Sequence, residues 1–386
     1  MAQWDSYNAL GTLLGNLTLL GRDDGQALPA DEIKTLTPAK LLEILISAGG
    51  TFSYNYNWLI NGGFDIAQRQ APGTLTTLTD NKCSADRWRV TRENADVQYI
   101  RVDATSESGL TSRYYGQFKK ITNAGKIHIC QIIEGINSVP LRSKTVIFQA
   151  KMKASASKTI RMAVLELQNA GSMDTIPATL VTAFGADSTD PTLGANVAVI
   201  TAAESKSVTT SWQSFSVSVT VPTNSKNIIC AIWSDADFAA NDTLSIAEAG
   251  LFTASVVQAW TPRLFGEELR LAYRYYWKSF PLETAPAQNA GTTGSARFIA
   301  TRAGASSLFG HMNKYPVQMF TNPTITTYNP SAANAQVRDA GSLVDCSSIG
   351  IAAISNDAGF AIACTGNAAT AVGNQLDVHI TADAEL

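Results

Sequence analysis

The stretch WLINGGFDIAQRQAPGTLTTLTDNKCSADRW, residues 58–88, decides the fold class. Leu59 and Ile60 lead as an apolar pair into Asn61-Gly62-Gly63, where glycine permits the positive φ that a doubled-back chain needs. Asp65 and Arg69 are expected at the surface around Phe64 and Ile66. A Thr-rich polar loop follows, and Asp86 and Arg87 then precede Trp88, a ring large enough to plug one end of a β core. This is the pattern of a strand entering a sandwich through a sharp corner.

Outward from this corner, residues 57–262 alternate as antiparallel strands do. Phe215, Val217, Val219 and Val221 are interleaved with Ser and Thr, and TVIFQAKMK sets Val146, Phe148, Ala150 and Met152 against Ile147, Gln149, Lys151 and Lys153. Further strands are expected over 97–102, 127–133, 160–167, 228–233 and 244–252, with Asn, Gly, Ser and Pro between them, as in a sandwich or jelly roll. Residues 263–282 change period. Leu269, Ala272, Tyr273 and Tyr276 share a helical face, and Glu267 and Glu268 stand in the first turn, where the helix dipole favours anions. Residues 283–386 read as a smaller β unit, with strands at 295–302 and 349–354.

Residues 1–56 are expected to be a separate helical segment. Leu10, Leu13, Leu14 and Leu17 make one stripe; Leu41 and Leu45, with Leu42 and Ile46, supply the apolar face of a second expected helix that starts at Thr37-Pro38 and stops at Gly49-Gly50. Two short helices cannot bury these leucines alone, so attachment or oligomerisation is expected of them. The fold class is thus mainly β: an antiparallel jelly-roll sandwich and a smaller C-terminal β unit, with short N-terminal helices and one linking helix.

The totals narrow the function. A net charge of −3 offers no footprint for nucleic acid, and no basic block or long apolar run marks a membrane partner. Charged residues make up 16% of the chain, below the roughly 25% of an average soluble domain. MAQWDSYNAL lacks the features of a secretory signal, which implies synthesis in the cytoplasm. Cys83, Cys130, Cys230, Cys346 and Cys364 show no metal or redox spacing; most are expected as small buried hydrophobes, with disulfides between subunits as the other reading.

NGGFD and ADRW, then AGLFTASVVQAWTPRLFGEELRLAYRYYWKS, PVQMFTNPTITTYNP and DVHITADAEL, resemble in this order the jelly-roll region of bacteriophage tail-fibre, head-fibre and related virion proteins. The opening is also similar to carbohydrate-binding modules of the galactose-binding-like class. The resemblance implies a virion appendage that forms a homotrimer, attaches to other virion proteins through its N-terminal segment and contacts host surface polysaccharide. A capsid decoration, collar or cement protein is the alternative, and a polysaccharide depolymerase a third reading. It also implies a structural calcium between Asp65 and Glu248, although Ala249 stands where the pattern has a second acid. The other reading of these carboxylates is a buried acid paired with Arg69 or Arg87.

No nucleophile, zinc or P-loop motif accompanies His128, His311 or His379, and no β-helix repeat is present, so no enzymatic activity is expected. His128, between Ile127 and Ile129, is expected to be hydrogen-bonded or outward-facing. No cofactor is required by these residues. Sugar binding needs aromatic faces beside polar loops, for which Trp212, Tyr114, Tyr115 and Trp233 are the candidates.

Overall fold

The computed structural model describes residues 56–386 except 79–81 and 95, and the described residues belong to one compact unit. Leu10, Leu13, Leu14, Leu17, Leu41 and Leu45 lie outside the described residues.

The sandwich is built from β1 (Thr76–Leu78), β2 (Lys82–Cys83), β3 (Arg89–Arg92), β4 (Val97–Asp103), β5 (Tyr114–Lys120), β6 (Ile127–Ile133), β7 (Thr145–Ala154) and β8 (Lys158–Leu167), followed by β9 (Val181–Ala183), β10 (Thr192–Leu193), β11 (Val197–Val199), β12 (Glu204–Val208), β13 (Gln213–Thr220), β14 (Asn227–Ser234) and β15 (Thr243–Phe252). One sheet has the order β1-β4-β5-β15-β7-β13; the other runs β11-β8-β14-β6-β3-β2, with β12 also on β8. Their pairings are antiparallel, and the long sequence jumps between neighbours are those of a jelly roll. Val146, Phe148, Ala150 and Met152 point inward, as their alternation requires, and meet Ile129, Ile160, Met162 and Ile232 from the opposite sheet.

The two sheets differ on their outer faces. β6 and β14 are buried along their whole lengths, because the segment carrying β9, β10 and β11 covers the outside of their sheet. Ile132, Leu165, Leu180, Ile229 and Trp233 form a second core there. Each Leu or Ile so covered contributes about 1.5–3 kcal/mol, which holds down a segment with little regular structure of its own. IHICQII and NIICAIW are for this reason mostly apolar, without the alternation of a half-exposed strand. His128 lies among them fully buried, stacked on Trp233, with neither ring nitrogen hydrogen-bonded, contrary to the expectation of a bonded or outward-facing strand histidine. Burial pushes its pKa down to about 3, so the ring is neutral.

The smaller β unit contains β16 (Tyr276–Lys278), β17 (Ala296–Ile299), β18 (Ser307–Asn313), β19 (Thr324–Tyr328), β20 (Arg338–Asp339), β21 (Val344–Asp345), β22 (Ser348–Ser355), β23 (Gly359–Thr365) and β24 (Gln375–Asp383). β24 is its spine and pairs with β16, β17, β19 and β20. A three-stranded sheet, β18-β23-β22, packs with it around Phe298, Met319, Phe360, Leu376 and Ile380. Among the described residues the α-helices are the single turn α1 (Gly135–Ser138), continued by a 3-10 turn at Val139–Leu141, and the linking helix α2 (Phe265–Tyr273).

The opening corner joins all of these parts. Residues 58–63 run beside β15 without forming a strand: Trp58 N donates to Leu251 O at 2.9 Å and Ala249 N to Gly62 O at 3.0 Å. The expected entry strand is therefore absent. Positive φ falls on Asn61 (59°) and Phe64 (57°) instead of the glycines. Gly62 is required by contact, since a Cβ there would lie 2.0 Å from Ala249 O. Asn61 tolerates its backbone because its carboxamide is fully used, accepting from Ile66 N at 2.9 Å and donating to Ile66 O and Asp86 O. Trp88 is fully buried, stacks on Phe64 at 5.3 Å between centroids and donates its indole hydrogen to Asn61 O at 2.9 Å.

α2 ends at Tyr273, so Tyr276 belongs to β16 and not to the helical face expected for it. Glu268 is buried, hydrogen-bonded to Asn61 N and ion-paired with Arg263 at 3.1 Å. The next three residues reach back to the jelly roll. Arg274 pairs with Glu134 at 2.5 Å, Tyr275 donates to Glu134 at 2.9 Å while its ring lies 3.5 Å from the Arg87 guanidinium, and the Tyr276 ring carries Arg69 at 3.7 Å. Arg69, half-buried and not at the surface, also pairs with Asp86 at 3.1 Å, Asp383 at 3.5 Å and Glu385 at 3.3 Å. Glu385 additionally binds the buried Arg87.

Candidate functional site

Among the described residues, the outer face of the β1-β4-β5-β15-β7-β13 sheet carries only a small cluster, and an open groove of about 320 Å³ lies on it. That volume is within the about 300–1,000 Å³ of small-ligand pockets. Its floor follows from strand register. Lys151 pairs with Ser214 and Gln149 with Ser216 across β7 and β13, so two long polar side chains and two hydroxyls share the outward side. β15 supplies Glu248 at a bulge, where the chain takes φ of 50° and shifts register between Ala247 and Gly250.

The wall is the segment Val257-Gln258-Ala259-Trp260, beyond the end of β15. Gln149 fixes it by a reciprocal amide pair, donating to Gln258 O at 2.6 Å and accepting from Gln258 N at 2.8 Å. Trp260 is half-buried; its benzo edge lies over Gly63, where a Cβ would come within 3.1 Å of it. Its indole Nε1 is buried without a hydrogen-bond partner. An aromatic side chain, two amides, two hydroxyls, an ammonium and a carboxylate therefore converge on one groove.

Glu248 is 4% exposed and accepts from Thr111 N, from Thr111 Oγ1 at 2.9 Å and from Ser112 N at 3.1 Å, with Lys151 Nζ at 2.9 Å. Burial pushes its carboxyl up, but Lys151 and these donors outweigh it and hold the group below its ordinary value. The partner of this buried acid is thus Lys151, in place of Arg69 or Arg87. Among the described residues no cluster of three or more His, Cys, Asp or Glu side chains is gathered to hold a metal.

Asp65 has a different environment. Burial, with a contribution from the Glu268 carboxylate, raises its pKa to about 6 against the opposing pull of Arg101 and Arg113. The unfolded chain releases this proton near 3.8 and the folded chain near 6, so the folded state binds more protons between those values. Its contribution to stability must therefore fall as pH rises from about 4 to about 6. Asp65→Asn is expected to remove that fall. Urea midpoints at about pH 4 and about pH 6.5, compared with wild type, check it, and an unchanged difference between the two proteins at both pH values would contradict it.

The four expected sugar-binding aromatics are only partly brought together. Trp212 and Tyr115 meet edge to face at 5.1 Å near the groove, in a small cluster with Ala104 and Ala247. Trp212 donates to Glu107 at 3.0 Å and lies under Lys153 at 4.9 Å, while Tyr115 is buried. Tyr114 faces another hollow, of about 480 Å³, beside Arg101 and Arg113. Trp233 is a correction: at 2% exposure it belongs to the covered core of the other sheet and presents no face to a ligand. Trp260, Gln149 and Gln258 were not among the expected residues. Their signal was a glutamine on the outward side of TVIFQAKMK and a tryptophan just past the last strand.

A larger cleft of about 670 Å³ lies by the corner, lined by Arg69, Arg89, Tyr276 and threonines of β19 and β24. Its guanidinium groups are already engaged, Arg69 by three carboxylates and Arg89 by Leu386 O. The groove differs in holding an indole N–H without a hydrogen-bond partner.

No family model and no curated protein matches the sequence. Among solved structures, the chain is similar to the enzymatically active domain of tailspike protein 4 of bacteriophage CBA120, at 9% identity over 51% of this chain and 21% of that one, with a TM-score of 0.32. It is also similar to the carbohydrate-binding module TmCBM61 in complex with β-1,4-galactotriose, at 14% identity, 52% and 99% coverage and a TM-score of 0.30. A third is the CBM22-1–GH10 part of the Clostridium thermocellum xylanase 10B with xylohexaose, at 15% identity, 50% and 30% coverage and a TM-score of 0.30.

Proposed function

We propose that this chain is a non-enzymatic bacteriophage virion protein, an appendage of the tail-fibre or head-fibre type. It contacts host surface polysaccharide through the outer-face groove, and its N-terminal segment attaches it to the particle and assembles it as a homotrimer. One observation carries the binding part: the groove on this sheet face joins an indole to the amides, hydroxyls and carboxylate that sugar hydroxyls recognise. The lining also favours binding over cleavage. Glu248 is its one carboxylate and is neutralised by Lys151, whereas glycoside hydrolysis by the usual route uses two carboxylates flanking the bond.

Titrating the full chain with purified host surface polysaccharide, and following tryptophan fluorescence, is expected to give saturable binding with no increase in reducing ends. A rise in reducing ends would establish the depolymerase reading instead. Absence of binding, with stoichiometric occupancy of capsids, would establish the decoration or cement reading. One observation supports that alternative: Val256, Val257, Leu264 and Phe265 are 65%, 57%, 74% and 51% exposed where the chain leaves the jelly roll.

A further inference from the structure

We propose that the Lys151–Glu248 ion pair is the specificity determinant of the outer-face groove, reserving it for uncharged sugar residues and turning acidic ones away; this rests on the polysaccharide-binding reading above. Among the described residues, Lys151 and Glu248 are the charged members of the lining. Both are engaged within the protein. Lys151 Nζ lies 2.9 Å from Glu248 Oε2 and also donates to Gly109 O. The other carboxylate oxygen, Glu248 Oε1, accepts from Thr111 N, Thr111 Oγ1 and Ser112 N.

The neighbouring charges on this face are matched in the same way. Lys153 stands two residues along β7, hence on the same side as Lys151, and pairs with Glu107 at 2.6 Å. Glu107 also accepts from Trp212 Nε1 at 3.0 Å and from the Tyr115 hydroxyl at 3.3 Å. The hydrogen bond from Lys153, with these other donors, holds the Glu107 carboxyl below its ordinary value in spite of burial. What the groove leaves for a ligand is neutral: the hydroxyls of Ser214 and Ser216, and the buried Trp260 N–H, for which a sugar hydroxyl or ring oxygen is a sufficient acceptor.

Exclusion of acids has a physical cause. A uronate or phosphate in the groove faces the Glu248 carboxylate, and recruits Lys151 only by stripping Glu248 of its counter-ion. Glu248 is 4% exposed, so a charge without a partner would be left where water does not solvate it. A neutral sugar leaves the pair intact.

Two forms of one purified host surface polysaccharide test this on the full chain: a neutral form, with its carboxyl groups reduced to alcohols, and an acidic form, with its primary alcohols oxidised to carboxylates. Binding is read as slowed hydrogen exchange at residues 257–260, which line the groove and neither of the other two hollows. The neutral form is expected to bind with an affinity that changes less than about twofold between about 20 mM and about 500 mM salt, and the acidic form at least about tenfold more weakly. Glu248→Gln keeps an Oε1 acceptor for Thr111 and Ser112 and removes the counter-ion of Lys151. The acidic form is expected to bind this variant about tenfold more tightly than it binds wild type at the lower salt, and to lose most of that gain at the higher. Slowing by the acidic form alone, equal affinity for both forms, or no gain in Glu248→Gln overturns the specificity and leaves the groove a glycan site. Slowing by neither form overturns the polysaccharide reading and this inference with it. Should the variant fail to fold, the wild-type affinities and their salt dependence decide.

Discussion

Glu385→Ala is expected to lower the free energy of unfolding by about 3–5 kcal/mol, the cost of leaving a buried charge without its partner. Arg87 is 4% exposed, and its ionic partner is Glu385; the Tyr275 ring and Ile132 O, which remain in the variant, do not neutralise a guanidinium. Glu385 also binds Arg69 at 3.3 Å, so the change loosens both arginines of the corner. Burial pushes the Glu385 carboxyl up, but Arg87 and Arg69 outweigh it and hold it below the ordinary 4.5. Its stabilising contribution is therefore fully present above that ordinary value and is lost as pH falls through the lower folded value. Denaturant midpoints at neutral pH measure the effect. A loss under about 1 kcal/mol, the size of a surface ion pair, would mean that the corner does not hold the jelly roll to the smaller β unit.

Trp260→Ala is expected to weaken polysaccharide binding about thirtyfold, equivalent to about 2 kcal/mol for the loss of a central aromatic contact. Two features of the indole account for this: its ring shapes the groove wall, and its N–H, which has no partner within the protein, can donate to a sugar oxygen. Trp260→Phe separates them, because it keeps a ring and removes the donor; binding intermediate between wild type and Trp260→Ala is expected. Titration of each variant with the same polysaccharide gives the comparison. If Trp260→Ala bound as tightly as wild type while folded, the groove would have no part in recognition.

The strands were the most legible feature, for a physical reason: a strand with one wet face must alternate, and β13 does so through Phe215, Val217 and Val219. β6 and β14 were readable as strands from their short apolar runs, but not what covers them. Residues 168–203 have no periodicity that marks them as a lid, and so Trp233, at the end of an apolar strand beside a polar loop, stood among the sugar-binding candidates. At the corner the composition was informative and the conformation was not. Glycine suggested positive φ at Gly62 and Gly63, yet the constraint there is closeness to Ala249, and the left-handed residues are Asn61 and Phe64. In RYY, helical spacing carried the reading past Tyr273, although tertiary contacts with Glu134, Arg87 and Arg69 end the helix and use all three side chains. Trp260 was legible only as the close of the jelly roll, because the pairing that makes a groove wall of it, Gln149 with Gln258, spans 109 residues.

These particulars divide the molecule into an architectural corner and a binding face. Hydrogen exchange on the full chain, with and without saturating host surface polysaccharide, tests the division most directly. The predicted result is slowed exchange at residues 149–151, 214–216 and 257–260, with residues 61–69 and 84–88 unchanged. Slowed exchange at the corner, with none around Trp260, would contradict it.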